Sequence, residues 1–137
     1  MAALLQLEVA TPDGLALKTE AEIVTAPSVA GEFGVLPGHL PLLAATRAGL
    51  LKYRAQGKDQ VAAVGPGFVE ALPDKVLLLT DAFLKPASID RAAAERDLVE
   101  AEKHLAESKL SLDAPEHAEL TRKVEWARAR VDASKAA

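Results

Sequence analysis

The chain has 137 residues, about one domain's worth, of which 50% are hydrophobic and 26% charged. Its net charge of −4 argues against a protein that wraps a phosphate backbone. The absence of cysteine removes disulfides, thiolate nucleophiles and cysteine zinc sites together, and fits a reducing compartment. Aromatic residues make up only 4%, so the core must be built from Leu, Val, Ile and Ala.

Met1 to Thr11 carries no basic leader and meets Glu8 early, so neither a signal nor a transit peptide is expected. Within it Leu5, Leu7 and Val9 alternate with Gln6, Glu8 and Ala10, the period of a half-buried strand. Pro12-Asp13-Gly14 reads as a turn, because proline presets one backbone angle and glycine accepts a positive one. Leu15 and Leu17 continue the alternation. Further strands are expected over Ala21–Ala26, Gly49–Ala55, Gln60–Val64, Phe68–Leu72 and Lys75–Thr80, with tight connections at Gln56-Gly57-Lys58-Asp59 and Pro73-Asp74-Lys75. Short strands at this spacing predict a sandwich or barrel of about 85 residues. The longest charge-free stretch, Phe33 to Thr46, has 14 residues and two prolines, too short and too broken to cross a bilayer.

All eight glycines lie between Gly14 and Gly67, and seven of eight prolines precede residue 87. That composition break puts a boundary at Lys85-Pro86-Ala87-Ser88, giving an all-β domain over 1–87 and a helical hairpin over 88–137. In the first helix Ala94, Leu98, Ala101, Leu105 and Leu112 fall near one face, with Ile89 and Leu110 at its ends. Ser88 is its expected N-cap, with Asp90 in the first turn. Asp113-Ala114-Pro115-Glu116 then breaks and restarts the helix, with Asp113 as cap and Glu116 placed as in a capping box. In the second helix Leu120, Val124, Ala127 and Val131 form a narrow stripe. An alanine-rich stripe buries little area, so the hairpin needs a surface to lie on and is able to leave it.

Catalytic and metal chemistry find little support. His39, His104 and His117 stand at no metal-ligand spacing, no serine sits in a nucleophile elbow, and most carboxylates fall on solvated helix faces. Gly65-Pro66-Gly67-Phe68 lacks the lysine and following helix of a phosphate loop and reads as a turn. Trp126 reads as a packing residue or a partner contact. No metal, cofactor or nucleic-acid partner is expected. One segment is distinctive: Gly31-Glu32-Phe33-Gly34-Val35-Leu36-Pro37-Gly38-His39-Leu40-Pro41-Leu42-Leu43. Two readings stand for it, a rigid corner burying its side chains or a preformed docking loop with Glu32 and His39 as polar contacts.

That run, followed by Ala48-Gly49-Leu50, Val64-Gly65-Pro66-Gly67-Phe68-Val69-Glu70 and Val76-Leu77-Leu78-Leu79-Thr80-Asp81, resembles the epsilon subunit of F-type ATP synthases across nearly the whole chain. The resemblance implies a ten-stranded β-sandwich followed by an antiparallel helix-turn-helix. It implies a non-catalytic central-stalk subunit of a proton-translocating synthase, peripheral on the cytoplasmic face of a bacterial inner membrane and touching the membrane only through the c ring. The sandwich would bind the gamma subunit and sit on the c-ring subunits, with Glu32, Phe33, Val35, Leu36 and His39 in the docking loop. The hairpin, extended toward the alpha and beta subunits of the catalytic head, would inhibit ATP hydrolysis.

A helix of about 20 residues spans about 30 Å, a useful reach for that purpose. The second helix carries Arg122, Lys123, Arg128, Arg130 and Lys135 against Glu116, Glu119, Glu125 and Asp132, a net of +1. Arg122, Lys123, Arg128 and Arg130 are the candidate contacts to acidic head surfaces, with a solvated face as the alternative. Some bacterial members bind ATP through an Ile/Leu-Asp-x-x-Arg-Ala motif. Here Ile89-Asp90-Arg91-Ala92-Ala93-Ala94 has alanine in the arginine position, and Leu84 replaces an acidic residue upstream. Arg91, two positions away, points about 160° round the helix, so no ATP binding is expected. A free-standing sandwich adaptor and a small hydrolase remain as the competing functions.

Overall fold

The computed structural model describes residues 3–136; Met1, Ala2 and Ala137, at the ends of the expected domain ranges, lie outside them. The first ten elements are strands: β1 (Leu5–Thr11), β2 (Gly14–Ala21), β3 (Ile23–Ser28), β4 (Gly31–Val35), β5 (Leu42–Thr46), β6 (Gly49–Ala55), β7 (Lys58–Val64), β8 (Gly67–Ala71), β9 (Lys75–Thr80) and β10 (Phe83–Leu84). A 3-10 turn over Pro86–Ser88 leads to α1 (Arg91–Glu107) and α2 (Pro115–Lys135). The chain is a ten-stranded β-sandwich followed by a helical hairpin.

Strand order is β10-β7-β6-β3-β5-β8-β9-β1-β2, with β4 also paired to β3. β3 and β5 share one paired position, Ser28 with Thr46, so the sheet folds over there into two layers. Inward residues alternate along the strands as half-buried sheets require. Leu5, Leu7 and Val9 of β1 meet Val24, Val35, Leu51, Tyr53, Val64, Val69, Val76 and Leu78 in one core. Burial raises the Tyr53 hydroxyl pKa above the ordinary tyrosine value. Gln56 and Gly57, with φ of 55° and 75°, make the two-residue turn between β6 and β7.

β7 ends in the consecutive buried residues Ala62, Ala63 and Val64. Ala62 and Val64 point into the sandwich, while Ala63 points outward and is covered by Ala129 and Ala133 of α2, flanked by Leu50, Ile89 and Trp126. α2 therefore has two buried sides. Ala127 and Val131, roughly opposite Ala129 and Ala133 around the helix, are buried on the side turned to α1.

The helix ends differ in detail from expectation. Asp90, not Ser88, caps α1: its carboxylate accepts the Ala93 N–H at 3.1 Å, while Ser88 belongs to the preceding 3-10 turn. α1 stops at Glu107, leaving Leu110 and Leu112 outside it and exposed. Ala114 holds the N-cap position of α2 without a side-chain bond, because Asp113 lies one residue too early and its own N–H donates to Ser111 Oγ. Pro115 does open the helix, with Glu116 in the first turn.

Candidate docking surface

The two outer faces of the sandwich differ. α2 covers the outer side of β6 and β7, whereas among the described residues no element covers the outer side of β5, β8, β9, β1 and β2, where Leu43, Phe68, Leu79 and Leu15 are exposed. Across those five strands the register aligns Ala45, Phe68, Leu79, Ala10 and Leu15 in one continuous cross-strand row. Phe68 is 56% exposed, Leu79 48% and Leu15 58%. The neighbouring row runs Leu43, Glu70, Leu77, Glu8, Lys18, with Leu43 69% exposed. A soluble fold would normally alternate polar residues onto such a face, and a contiguous exposed apolar row marks a contact surface.

Charge borders this row. Lys75 donates to Glu8 at 2.6 Å. Hydrogen bonding to Lys75 holds the Glu8 carboxyl below the ordinary glutamate value, and the same bond raises Lys75. The surface thus has an apolar side toward the β1–β2 turn and a charged side toward the β8–β9 turn.

Gly67 lets β8 and β9 approach closely beneath the apolar row. A Cβ on Gly67 would lie within 1.8 Å of the Leu79 carbonyl oxygen and 2.9 Å of Thr80 Cα. The glycine is required by backbone proximity, which positions Phe68 beside Leu79.

The distinctive glycine- and proline-rich segment is divided. Gly31 to Val35 is a strand, with Val35 fully buried in the core and Phe33 half-buried against it. Glu32 is exposed on β4 and forms an ion pair with Lys52 at 3.2 Å, in a cleft that Arg47, Arg128 and Asp132 also line. Leu36, His39 and Leu40 lie in the loop beyond the other end of β4. The Gly38 N–H donates to the Pro73 carbonyl at 2.7 Å, tying that loop to the β8–β9 turn, and His39 Nδ1 lies 2.6 Å from the Leu40 carbonyl. Leu36 is 58% and Leu40 80% exposed. The fold brings Leu36 and His39 together and sets Glu32 apart from them, at the far end of the strand.

On α2, Arg122 and Lys123 are exposed and edge a cleft with Pro66, Asp81 and Trp126. Arg128 and Arg130 reach the other helix instead: Arg130 to Asp97 at 3.0 Å, and Arg128 to Glu102 at 3.6 Å. The Arg130 guanidinium also lies 5.5 Å from the centre of the Trp126 ring. Arg91 pairs with Glu95 on its own helix at 3.0 Å. Among the described residues there is no cluster of three metal-ligating side chains and no helix long and apolar enough to cross a membrane.

Residue-level reading missed Leu43, Phe68, Leu79 and Leu15 as surface residues. The signal was present in β9, where Val76, Leu77, Leu78 and Leu79 are apolar on both faces of an antiparallel-type sandwich, which demands cover on both sides.

This arrangement defines a class of protein: a β-sandwich with a helical hairpin lying on one face and an apolar row open on the other. The model of the ATP synthase Delta/Epsilon chain β-sandwich domain matches residues 4–86. The ATP synthase epsilon chain of Nitratidesulfovibrio vulgaris is 40% identical over 109 residues, 80% of this chain and 81% of the relative. That of Koribacter versatilis is 40% identical over 116 residues, 85% and 78% of the two chains. A chain in the Euglena gracilis mitochondrial ATP synthase structure, comprising OSCP, F1 and the c-ring, has the same fold, with a TM-score of 0.80 at 21% identity over 97% of this chain and 82% of that one. The protein belongs to the epsilon-chain family of ATP synthases.

Proposed function

We propose that this chain is a non-catalytic rotor subunit of a proton-translocating F-type ATP synthase, joining the c ring to the gamma subunit in the central stalk. The observation that carries the reading is the open row Ala45-Phe68-Leu79-Ala10-Leu15, which serves as the surface that gamma covers. The loop with Leu36 and His39, at the end of the sandwich away from the hairpin connection, meets the polar loops of the ring. Phe33 and Val35 support that loop from within, and Glu32 acts through the cleft beside α2. The protein is held at the cytoplasmic face of the bacterial membrane through the ring.

The hairpin, 88–137, is the regulatory part beside a docking sandwich, 1–87. Extended toward the alpha and beta subunits, it restrains ATP hydrolysis through Arg122, Lys123, Arg128 and Arg130. ATP itself does not set this position, since Ala93 supplies no phosphate contact and Arg91 is paired to Glu95.

Coupling is tested by mixing the chain with gamma: a stable one-to-one complex is expected, and no association would overturn the reading. Braking is tested by truncation after Lys85 in the reassembled complex. Hydrolysis should rise, and unchanged hydrolysis would remove the brake while leaving coupling intact.

A further inference from the structure

The hairpin is held by two seams of different chemistry. Against the sandwich, Ala129 and Ala133 of α2 rest on Ala63, flanked by Leu50, Ile89 and Trp126. Among the described residues no ion pair crosses this seam. Between the helices, the α1 stripe Ala94, Leu98, Ala101 and Leu105 is turned to Leu120, Val124, Ala127 and Val131 of α2, with Ala94, Ala127 and Val131 buried. Two ion pairs flank it, Arg130–Asp97 and Arg128–Glu102. The two arginines stand two residues apart, on either side of the face that α2 turns to α1. Arg130 is the better held: its side chain is only 19% exposed, and its guanidinium neighbours the Trp126 ring.

We infer that the hairpin leaves the sandwich as a latched unit, opening the alanine seam first and keeping α1 and α2 paired. The connector from Lys85 to Asp90 is the hinge. Arg128 and Arg130 then remain occupied by Glu102 and Asp97 after detachment, and become available to an acidic partner only when the second seam opens. The same cations close the compact form and equip the open one, so an acidic partner surface must displace two carboxylates to engage them. Release is therefore staged, and its second stage depends on ionic strength because partly exposed ion pairs are screened by salt. The inference rests on the hairpin being a moving element and deepens that part of the proposed function.

The absence of cysteine allows two distances to be followed in the full chain by paired fluorescent labels. Lys58→Cys with Lys135→Cys reports the sandwich seam, and Arg96→Cys with Lys135→Cys reports the interhelix seam. In a urea titration at low salt, the first distance should lengthen before the second. Simultaneous lengthening, or the interhelix distance lengthening first, would overturn the proposal.

In the double variant Asp97→Asn with Glu102→Gln, the ratio of open to closed interhelix seam should rise about fivefold, with the sandwich-seam transition unmoved. The exchanged pair Asp97→Arg with Arg130→Asp should retain more of the closed interhelix state than Asp97→Arg alone. An interhelix transition unaffected by these changes or by added salt would refute the latch. Hydrolysis is measured separately, so failure of braking and failure of staging give different results.

Discussion

Replacing Phe68 by alanine strips the centre of the open row while leaving the core intact. The ring is 56% exposed in the free chain. An aromatic side chain contributes about 150–250 Å² when buried, so roughly 85–140 Å² of Phe68 is left for a partner to cover. At about 25 cal/mol per Å² this corresponds to about 2–3.5 kcal/mol, or a loss of affinity of roughly 30- to 300-fold. Isothermal titration against the isolated gamma subunit measures it directly. The fold should survive, because the neighbouring inward residue Val69 is untouched, and the far-ultraviolet circular dichroism should match the parent. Binding within about twofold of the parent would refute the assignment of this face to gamma.

Leu78→Ala empties a fully buried site between the layers and should cost about 2–5 kcal/mol of folding stability, read from the urea midpoint. Gly67→Ala forces β8 away from the Leu79 carbonyl; it should destabilise the sandwich by about 1–3 kcal/mol and also weaken gamma binding by displacing Phe68. The lowered Glu8 value means its pair with Lys75 stabilises the fold above about pH 4.3 and loses that contribution as pH falls through the folded value. Lys75, raised, contributes until pH climbs through its folded value. Glu8→Gln should therefore flatten the acid limb of a stability–pH curve, and an unchanged limb would discount the pair. Calorimetry with ATP should show no binding at millimolar concentration; a millimolar or tighter site would overturn the reading of Ala93.

The parts of the fold legible in the sequence are those governed by local pattern. Leu5-Leu7-Val9 alternation, the Gln56-Gly57 turn and the loss of glycine after Gly67 placed most strands and the hairpin, because period and turn chemistry act over a few residues. β4 and the start of β5 were hidden inside the Gly31–Leu43 run, where glycines and prolines mask alternation; Val35 is in the core only because β4 pairs with β3. The cap of α1 shifted by two residues because the Pro86–Ser88 turn uses Ser88 first. The open row is a property of register across five strands, Ala45 to Leu15, and no window of sequence contains it. The pairing of Arg128 and Arg130 with α1 likewise depends on how two helices align, which their separate stripes leave undetermined.

The most direct measurement is ATP-driven proton pumping in membranes whose synthase lacks this subunit, after adding back the chain or its Leu43→Ser, Phe68→Ser, Leu79→Ser variant. The parent chain should restore pumping and the folded triple variant should not. Full pumping with that variant, or no restoration by the parent chain, would contradict the account.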